Sequence, residues 1–88
     1  MGLFNAAMGA GALIMNTTGD GNTAIGATAL PKNTTGSDNI AVGTNAGNQL
    51  TSGDFNIYLG SDAGAAIESR TMRLGSAEQT STFIAGVA

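Results

Sequence analysis

The sequence predicts an all-β repeat solenoid, in which each coil carries one short strand that stacks on the equivalent strand of the next coil. One observation is a glycine at a constant step along the chain, namely at Gly9, Gly26, Gly43 and Gly60. Another is an asparagine at the same offset before each of these glycines, namely Asn5, Asn22, Asn39 and Asn56. A fixed step over successive units is the signature of a repeat architecture. We therefore predict a single repeat domain that covers residues 1–88.

The repeat keeps its length over three units and then shortens. The next equivalent segment, TMRLG, ends at Gly75, and FIAG ends at Gly86, so each of these steps is shorter than the one before it. We assign the coils to residues 5–21, 22–38, 39–55, 56–69, 70–80 and 81–88. Residues 1–4 match no repeat and are expected to cap the first coil.

Each repeat contains a short segment with the alternation of a β-strand, reading NAAMG, NTAIG, NIAVG, NIYLG and TMRLG in chain order. Residues two apart in a strand share one face of the sheet. The mostly aliphatic positions form two columns, which we predict to be the core: Ile25, Val42, Leu59 and Leu74, and Thr23, Ile40, Ile57 and Met72. The alternate positions hold Asn, Ala, Tyr58 and Arg73 and are expected to face solvent or a neighbouring chain.

The segments between strands have the composition of tight turns. Glycine reaches positive φ without steric cost, so we expect left-handed backbone at two columns of turn glycines: Gly9, Gly26, Gly43, Gly60 and Gly75, and Gly19, Gly36 and Gly53. Threonine, aspartate and asparagine in the same segments satisfy turn backbone locally. Glycine and β-branched residues disfavour helix throughout, and residues 61–69 are where we allow a single helical turn.

The composition predicts a thin core and therefore an oligomer. The chain has 88 residues, 5% aromatic residues, no tryptophan and no cysteine, and much of its apolar content is alanine. A lone chain of this size buries a modest share of its surface. Packing of identical chains would supply the missing burial.

Charge and side-chain chemistry argue against several functions. A net charge of -3 without a basic cluster speaks against binding to nucleic acid, and no segment is long and apolar enough to cross a membrane. The absence of histidine and cysteine removes the common bases, thiol nucleophiles and soft metal ligands, so we expect no enzyme, no cofactor and no metal site. The acidic turn residues Asp20, Asp38 and Asp54 are interpreted as turn-forming, with calcium ligation as the alternative.

Four larger side chains are candidates for contacts between chains, namely Phe55, Tyr58, Arg70 and Arg73. Arg70 and Arg73 lie near Glu68 and Glu78, which suggests a ring of ion pairs between subunits, while a solvated charged surface is the alternative. Phe55 falls in a turn, where packing between chains or contact with a receptor suits it better than a place in the core.

The repeats NTAIGATAL, NTTGSDNIAVGTNAG and TSGDFNIYLGSDAG resemble the head repeats of trimeric autotransporter adhesins and, more closely, the repeats of phage-type tail fibres. The resemblance rests on the AIG and AVG segments at 24–26 and 41–43. It implies a left-handed parallel β-roll packed as an intertwined or side-by-side homotrimer, extracellular or on a virion. It also implies a C-terminal self-cleaving chaperone domain as a further partner, which would lie outside this sequence.

These observations lead to a structural function. We predict a rigid spacer in a trimeric adhesin or tail-fibre-like protein that serves attachment to a host or surface. A filament formed by stacking coils end to end is the alternative. A third possibility, an ice-binding solenoid, is weaker because the threonine columns, Thr17 with Thr34 and Thr18 with Thr35, are only two deep.

Overall fold

The protein is an all-β solenoid in the computed structural model, which describes residues 2–61 and 65–87. Five strands of three residues each, β1 to β5, follow one another at Ala6–Met8, Thr23–Ile25, Ile40–Val42, Ile57–Leu59 and Met72–Leu74. They form one parallel sheet in sequence order, and the molecule measures 40 × 26 × 20 Å. The predicted fold class is thereby confirmed for the single chain.

Successive coils stack in a strict register. Ala7 pairs with Ala24, Ala24 with Ala41, Ala41 with Tyr58, and Tyr58 with Arg73. The first three steps are equal and the last is shorter, so the shortening after the fourth strand is confirmed. Hydrogen bonds between coils continue into the turns: the Thr17 N–H donates to the Thr34 carbonyl (2.9 Å), and the Thr34 N–H donates to the Thr51 carbonyl (2.8 Å). This threonine column is therefore three deep, which corrects the predicted depth of two.

The two ends of the solenoid differ from the sequence prediction. Residues 76–87 form no further strand, so the expected coils at 70–80 and 81–88 do not close. At the other end Gly2 stacks against the Gly19 carbonyl as Gly19 stacks against that of Gly36. The first residues therefore continue the repeat, and the prediction that they match no repeat is wrong.

The interior contains the side chains that the sequence analysis placed outside. Ala24, Ala41 and Tyr58 are fully buried at the central positions of β2, β3 and β4. Further buried apolar residues come from the turns, namely Leu13, Ala29, Leu30, Ala46 and Leu50. The interior is thus built from alanines in the sheet and leucines in the turns.

The predicted core ladder lies on the outer face of the sheet, which corrects the sequence prediction. Its larger members are exposed (Ile25, Ile40, Val42, Leu59, Met72 and Leu74), while Thr23 and Ile57 are partly buried. The predicted vertical alignment is confirmed, because Ile25, Val42, Leu59 and Leu74 pair in sequence. The prediction that these two columns point into the interior was wrong.

The direction follows from the residue that enters each strand. The residues before the strand-opening asparagines have positive φ, for example 58° at Asp38 and 59° at Phe55. This turns Asn39 and Asn56 inward, where both are fully buried. Because side chains alternate along a strand, the next residue must point outward. One short strand per coil also encloses a narrow interior, which alanine fits better than isoleucine.

The two glycine columns serve different purposes. Positive φ is confirmed at the strand ends, with 121° at Gly9, 132° at Gly26, 125° at Gly43, 68° at Gly60 and 83° at Gly75. The other column, Gly19, Gly36 and Gly53, does not have left-handed backbone. There a Cβ at Gly36 would overlap the Gly53 carbonyl oxygen of the next coil. These glycines permit close stacking of coils, and the expectation of positive φ for them is wrong.

No helix occurs in the described residues. The helical turn allowed at residues 61–69 is therefore absent from the described part of that segment. Positions 62–64 lie outside the described residues.

Candidate functional surface: the outer sheet face and the open edge

The outer sheet face is the set of outward side chains of β2 to β5, namely Thr23, Ile25, Ile40, Val42, Ile57, Leu59, Met72 and Leu74. Within it Val42 is 38% exposed, Leu59 42% and Leu74 50%. The face is continuous, because parallel pairing places each side chain next to its equivalent in the neighbouring coil. A contiguous exposed apolar patch on a small protein marks an interaction surface.

Below this surface an asparagine ladder, formed by Asn5, Asn22, Asn39 and Asn56, links the coils. The Asn39 backbone N–H donates to the Asn22 Oδ1 (3.0 Å), and the Asn39 side-chain amide donates to the Gly53 carbonyl (2.9 Å). In turn the Asn39 Oδ1 accepts from the backbone N–H of Asn56 (2.9 Å). Each asparagine thus satisfies polar backbone groups in its own coil and in the next.

The sequence contained a signal for this ladder that its interpretation missed. An asparagine recurs at the first position of four repeats, while the outward positions beside it vary from threonine to isoleucine. Within one chain, a polar residue that stays the same while its neighbours vary has a role that its own side chain performs. For asparagine at a turn-strand junction, that role is bonding to backbone.

A second ladder, formed by Asp20, Ser37, Asp54 and Ser69, follows one edge of the turns. The backbone N–H of Ser37 donates to the Asp54 Oδ1 (2.8 Å), and that of Asp54 donates to the Ser69 Oγ (3.0 Å). The Asp20 carboxylate likewise accepts from the Leu3 N–H (2.7 Å). Asp20 and Asp54 therefore bind backbone in the neighbouring coil, while Asp38 lies one residue further along its coil, outside this column.

The C-terminal polar cluster consists of Tyr58, Glu68 and Arg73. The Tyr58 hydroxyl donates to the Glu68 Oε2 (2.5 Å), and the Arg73 guanidinium donates to both carboxylate oxygens, with Nη2 at 2.8 Å from Oε1 and Nε at 3.0 Å from Oε2. The Glu68 carboxylate thus links the end of the short fourth coil to β4 and β5 by hydrogen bonds. Tyr58 is fully buried, which corrects the prediction that it contacts another subunit. The Arg73 side chain is 40% exposed, and its predicted contact with another chain remains a prediction.

Room for the Tyr58 ring comes from a compensating glycine. A Cβ at Gly47 would lie 2.8 Å from a Leu30 methyl group and 2.9 Å from the Tyr58 ring. Gly47 occupies the position that Leu13 and Leu30 hold in earlier coils. The larger side chain in the fourth coil is therefore matched by the absence of a side chain at Gly47 in the turn of the third coil.

The cluster shifts the ionisation of its members. Hydrogen bonds from Arg73 lower the pKa of the Glu68 carboxyl. Burial and the hydrogen bond to Glu68 raise the pKa of the Tyr58 hydroxyl above its ordinary value. The same carboxylate raises the pKa of the Arg73 guanidinium. At neutral pH the cluster therefore holds an ion pair and a neutral phenol.

The remaining two predicted contact residues meet each other. The Arg70 guanidinium carbon lies 6.0 Å from the centroid of the Phe55 ring, and Phe55 is 56% exposed. This distance is at the limit of a cation–π contact. Both side chains stay at the surface, so their predicted role between chains remains a prediction.

The C-terminal edge of the sheet is open within the described residues. β5 is the last strand, and the apolar side chains after it are exposed, with Phe83 at 94% and Ile84 at 60%. The hydrogen bonds of residues 76–79 are local, as in the donation from the Gln79 N–H to the Ser76 carbonyl (3.2 Å). An unpaired strand edge is a template for pairing with another chain.

The described part of the chain contains no group of three or more acidic side chains that gather around one point. Residues 2–61 and 65–87 also form no helix that is long and apolar enough to cross a membrane. Comparison with family models, with curated proteins and with solved structures gives no match. The class of protein that the geometry defines is a parallel β-solenoid.

Proposed function

We propose that the protein is a structural segment of a homotrimeric, fibre-like assembly, in which it acts as a rigid spacer for attachment to a host or surface. The observation that supports this most is the outer sheet face. In β2 to β5 the isoleucine, valine, leucine and methionine side chains lie on the outer face, whereas Ala24 and Ala41 lie in the interior. A lone chain leaves its most hydrophobic surface in water.

The occupant that we propose for this face is another copy of the same chain. The face is a flat array of side chains that repeats about every 4.8 Å along the stacking direction. A second copy carries the same array with the same step, so ridges of one copy meet grooves of the next at every coil. The proposed number of three copies around one axis is based on the resemblance to trimeric adhesins and tail fibres. The same resemblance supports a location outside the cell or on a virion.

Rigidity of the spacer is supported by the side-chain ladders that link successive coils. Side chains at Asn39 and Asp54 accept hydrogen bonds from backbone groups one coil away, and backbone bonds join the turns. Such a molecule cannot bend without breaking several hydrogen bonds at once. A purely structural protein also needs no reactive side chains, which agrees with a chain that lacks histidine and cysteine.

A pair of variants tests the proposal. Val42→Ser with Leu59→Ser removes hydrophobic side chains from the outer sheet face without touching the interior. We expect native mass spectrometry to show loss of the trimer. The matched control is Ile14→Ser with Ile67→Ser, which removes two aliphatic side chains that are 72% and 74% exposed but lie away from the strands. We expect the control to remain trimeric.

The proposal is wrong if the face variant keeps the oligomeric mass of the unmodified protein. It is equally wrong if both variant pairs lower that mass to the same extent, because the effect would then be general loss of apolar surface.

The open strands at both ends favour one alternative, a filament in which β5 of one particle stacks on β1 of the next. β1 is exposed over Ala6–Met8 and β5 has no outer partner in the described chain. Electron microscopy distinguishes the spacer from the filament. A uniform particle length supports the spacer, whereas a broad length distribution that shifts with protein concentration supports the filament.

A further inference from the structure

We infer that the segment Phe83–Gly86 of one copy pairs as a sixth parallel strand on the open edge of β5 in a neighbouring copy. The inference rests on the proposed assembly of identical chains, because it needs a second copy. Strand exchange at this end of the solenoid is a separate contact from packing of the outer sheet face.

The segment has the pattern of the strand that it would join. Thr-Phe-Ile-Ala-Gly at 82–86 aligns with Thr-Met-Arg-Leu-Gly at 71–75. In this register Phe83 lies beside Met72 and Ala85 beside Leu74, so both extend the columns of the outer sheet face. Ile84 lies beside Arg73, on the interior side. Phe83 and Ala85 would gain apolar neighbours on the outer face, and Ile84 would lie against the aliphatic part of the Arg73 side chain.

The backbone of β5 offers matching groups. On the inner strands, the Ile57 N–H donates to the Thr71 carbonyl (2.9 Å) and the Gly75 N–H donates to the Leu59 carbonyl (2.8 Å). Met72 and Leu74 occupy the positions of Ile57 and Leu59, one coil later. The Met72 N–H and the Leu74 carbonyl therefore point away from β4, towards where the Thr82 carbonyl and the Gly86 N–H of the incoming strand would lie.

The chain's own tail is too short to make this pairing. The link between β2 and β3 covers residues 26–39, and the link of the shortened coil, between β4 and β5, covers residues 60–71. The run between Leu74 and Phe83, residues 75–82, is shorter than either link. A parallel connection needs about a dozen residues or more, so one coil cannot close over this distance. Residues 76–87 accordingly form no strand in the single chain, whereas pairing with a neighbouring edge requires no full turn around the coil.

Disulfide trapping tests this pairing on the full chain, which has no cysteine of its own. Chains with Leu74→Cys are refolded together with mass-tagged chains that carry Ala85→Cys, and the thiols are then oxidised. Parallel neighbours lie about 4.8 Å apart, within the Cα separation of about 4.4–6.8 Å that a disulfide spans. We expect a mixed dimer linked through positions 74 and 85. The matched control, Ile84→Cys mixed with Leu74→Cys, points to the opposite face and should link weakly.

The outcomes separate the inference from the proposed function. A particle with the mass of three chains but without the link between positions 74 and 85 overturns strand exchange and leaves the trimer intact. A single-chain mass without the link overturns both. If a chain that carries both Leu74→Cys and Ala85→Cys closes the disulfide within itself at low concentration, the tail pairs with its own edge and the inference is wrong.

Discussion

At the scale of single residues, the fold depends on side chains that bond backbone in the next coil. Asn39 is fully buried and bonds both neighbouring asparagines and the Gly53 carbonyl. Burying a polar group without a partner costs more free energy than a hydrogen bond gains. The inward asparagines are therefore more sensitive to substitution than the outward aliphatic residues beside them.

Replacement of this asparagine should be costly. Asn39→Ala leaves the Asn56 N–H and the Gly53 carbonyl without their partner, so the free energy of unfolding should fall by about 2–4 kcal/mol. Thermal unfolding, monitored by circular dichroism, measures this loss of stability. The control Gln49→Ala, at an exposed side chain, should change stability by about 0.5 kcal/mol or less. Equal effects would show that the ladder stabilises the fold no more than a surface side chain does.

Acid should weaken the C-terminal polar cluster. The pKa of Glu68 is lower in the folded chain than in the unfolded chain, because Arg73 donates to its carboxylate. The unfolded chain then binds the proton more readily, so the stabilisation is complete above the unfolded pKa and is lost as pH falls through the folded one. Thermal midpoints measured from neutral to acidic pH should fall less steeply for Glu68→Gln. Identical slopes would contradict this.

High pH should also weaken the C-terminal polar cluster, through ionisation of the Tyr58 hydroxyl. Burial raises the pKa of Tyr58, so the folded chain keeps the proton at a pH where the unfolded chain releases it. The resulting stabilisation is present below the ordinary tyrosine pKa of about 10 and is lost as pH rises above it. Tyr58 is the single tyrosine, so phenolate absorbance reports on it alone. Titration near the ordinary value while the fold persists would show that the ring is not buried.

At the scale of the strand and turn, the sequence predicted a good part of the fold. The period predicted the number of strands from Asn5 to Gly75, their parallel stacking and the shortening at β5, because these depend on spacing alone. The period could not predict which face is inside. With side chains that alternate every two residues, either set can point into the interior. Which set does so depends on the residue with left-handed backbone before each strand, such as Asp38 or Phe55.

The candidate surface was predicted less completely, for the same reason. Aliphatic columns were recognised but assigned to the core, since burial of isoleucine and leucine is the usual expectation. Tyr58 and Arg73 were assigned to contacts between chains because nothing in the sequence showed that Glu68 returns to them across the shortened coil.

The close stacking of coils yields a test with two glycines. Gly36→Ala places a methyl group against the Gly53 carbonyl and the Asn33 side chain, and we expect a loss of about 2–4 kcal/mol or failure to fold. At Gly60 φ is 68°, and among the described residues no atom other than those of its chain neighbours lies within 4 Å of an added Cβ. Gly60→Ala should therefore cost about 1 kcal/mol from backbone strain. Chemical denaturation of both variants measures the difference. A larger loss at Gly60 than at Gly36 would mean that strain, not stacking distance, limits these turns.

At the scale of the whole molecule, the small inward side chains of the strands and the aliphatic outer face belong together. Alanine at the inward positions 24 and 41 allows coils narrow enough for the ladders to meet, and the aliphatic side chains of the same strands form a flat array on the outer face. Packing of this array against identical chains would complete the burial that one chain lacks. The open edge of β5 would then join the copies at one end through exchanged strands.

The most direct test is the mass of the native particle, measured by light scattering after size exclusion at several dilutions. Packing of three outer sheet faces predicts a stable mass three times the 8.6 kDa of one chain. A mass of 8.6 kDa at all concentrations would contradict it, and would mean that the solenoid tolerates its aliphatic face in water.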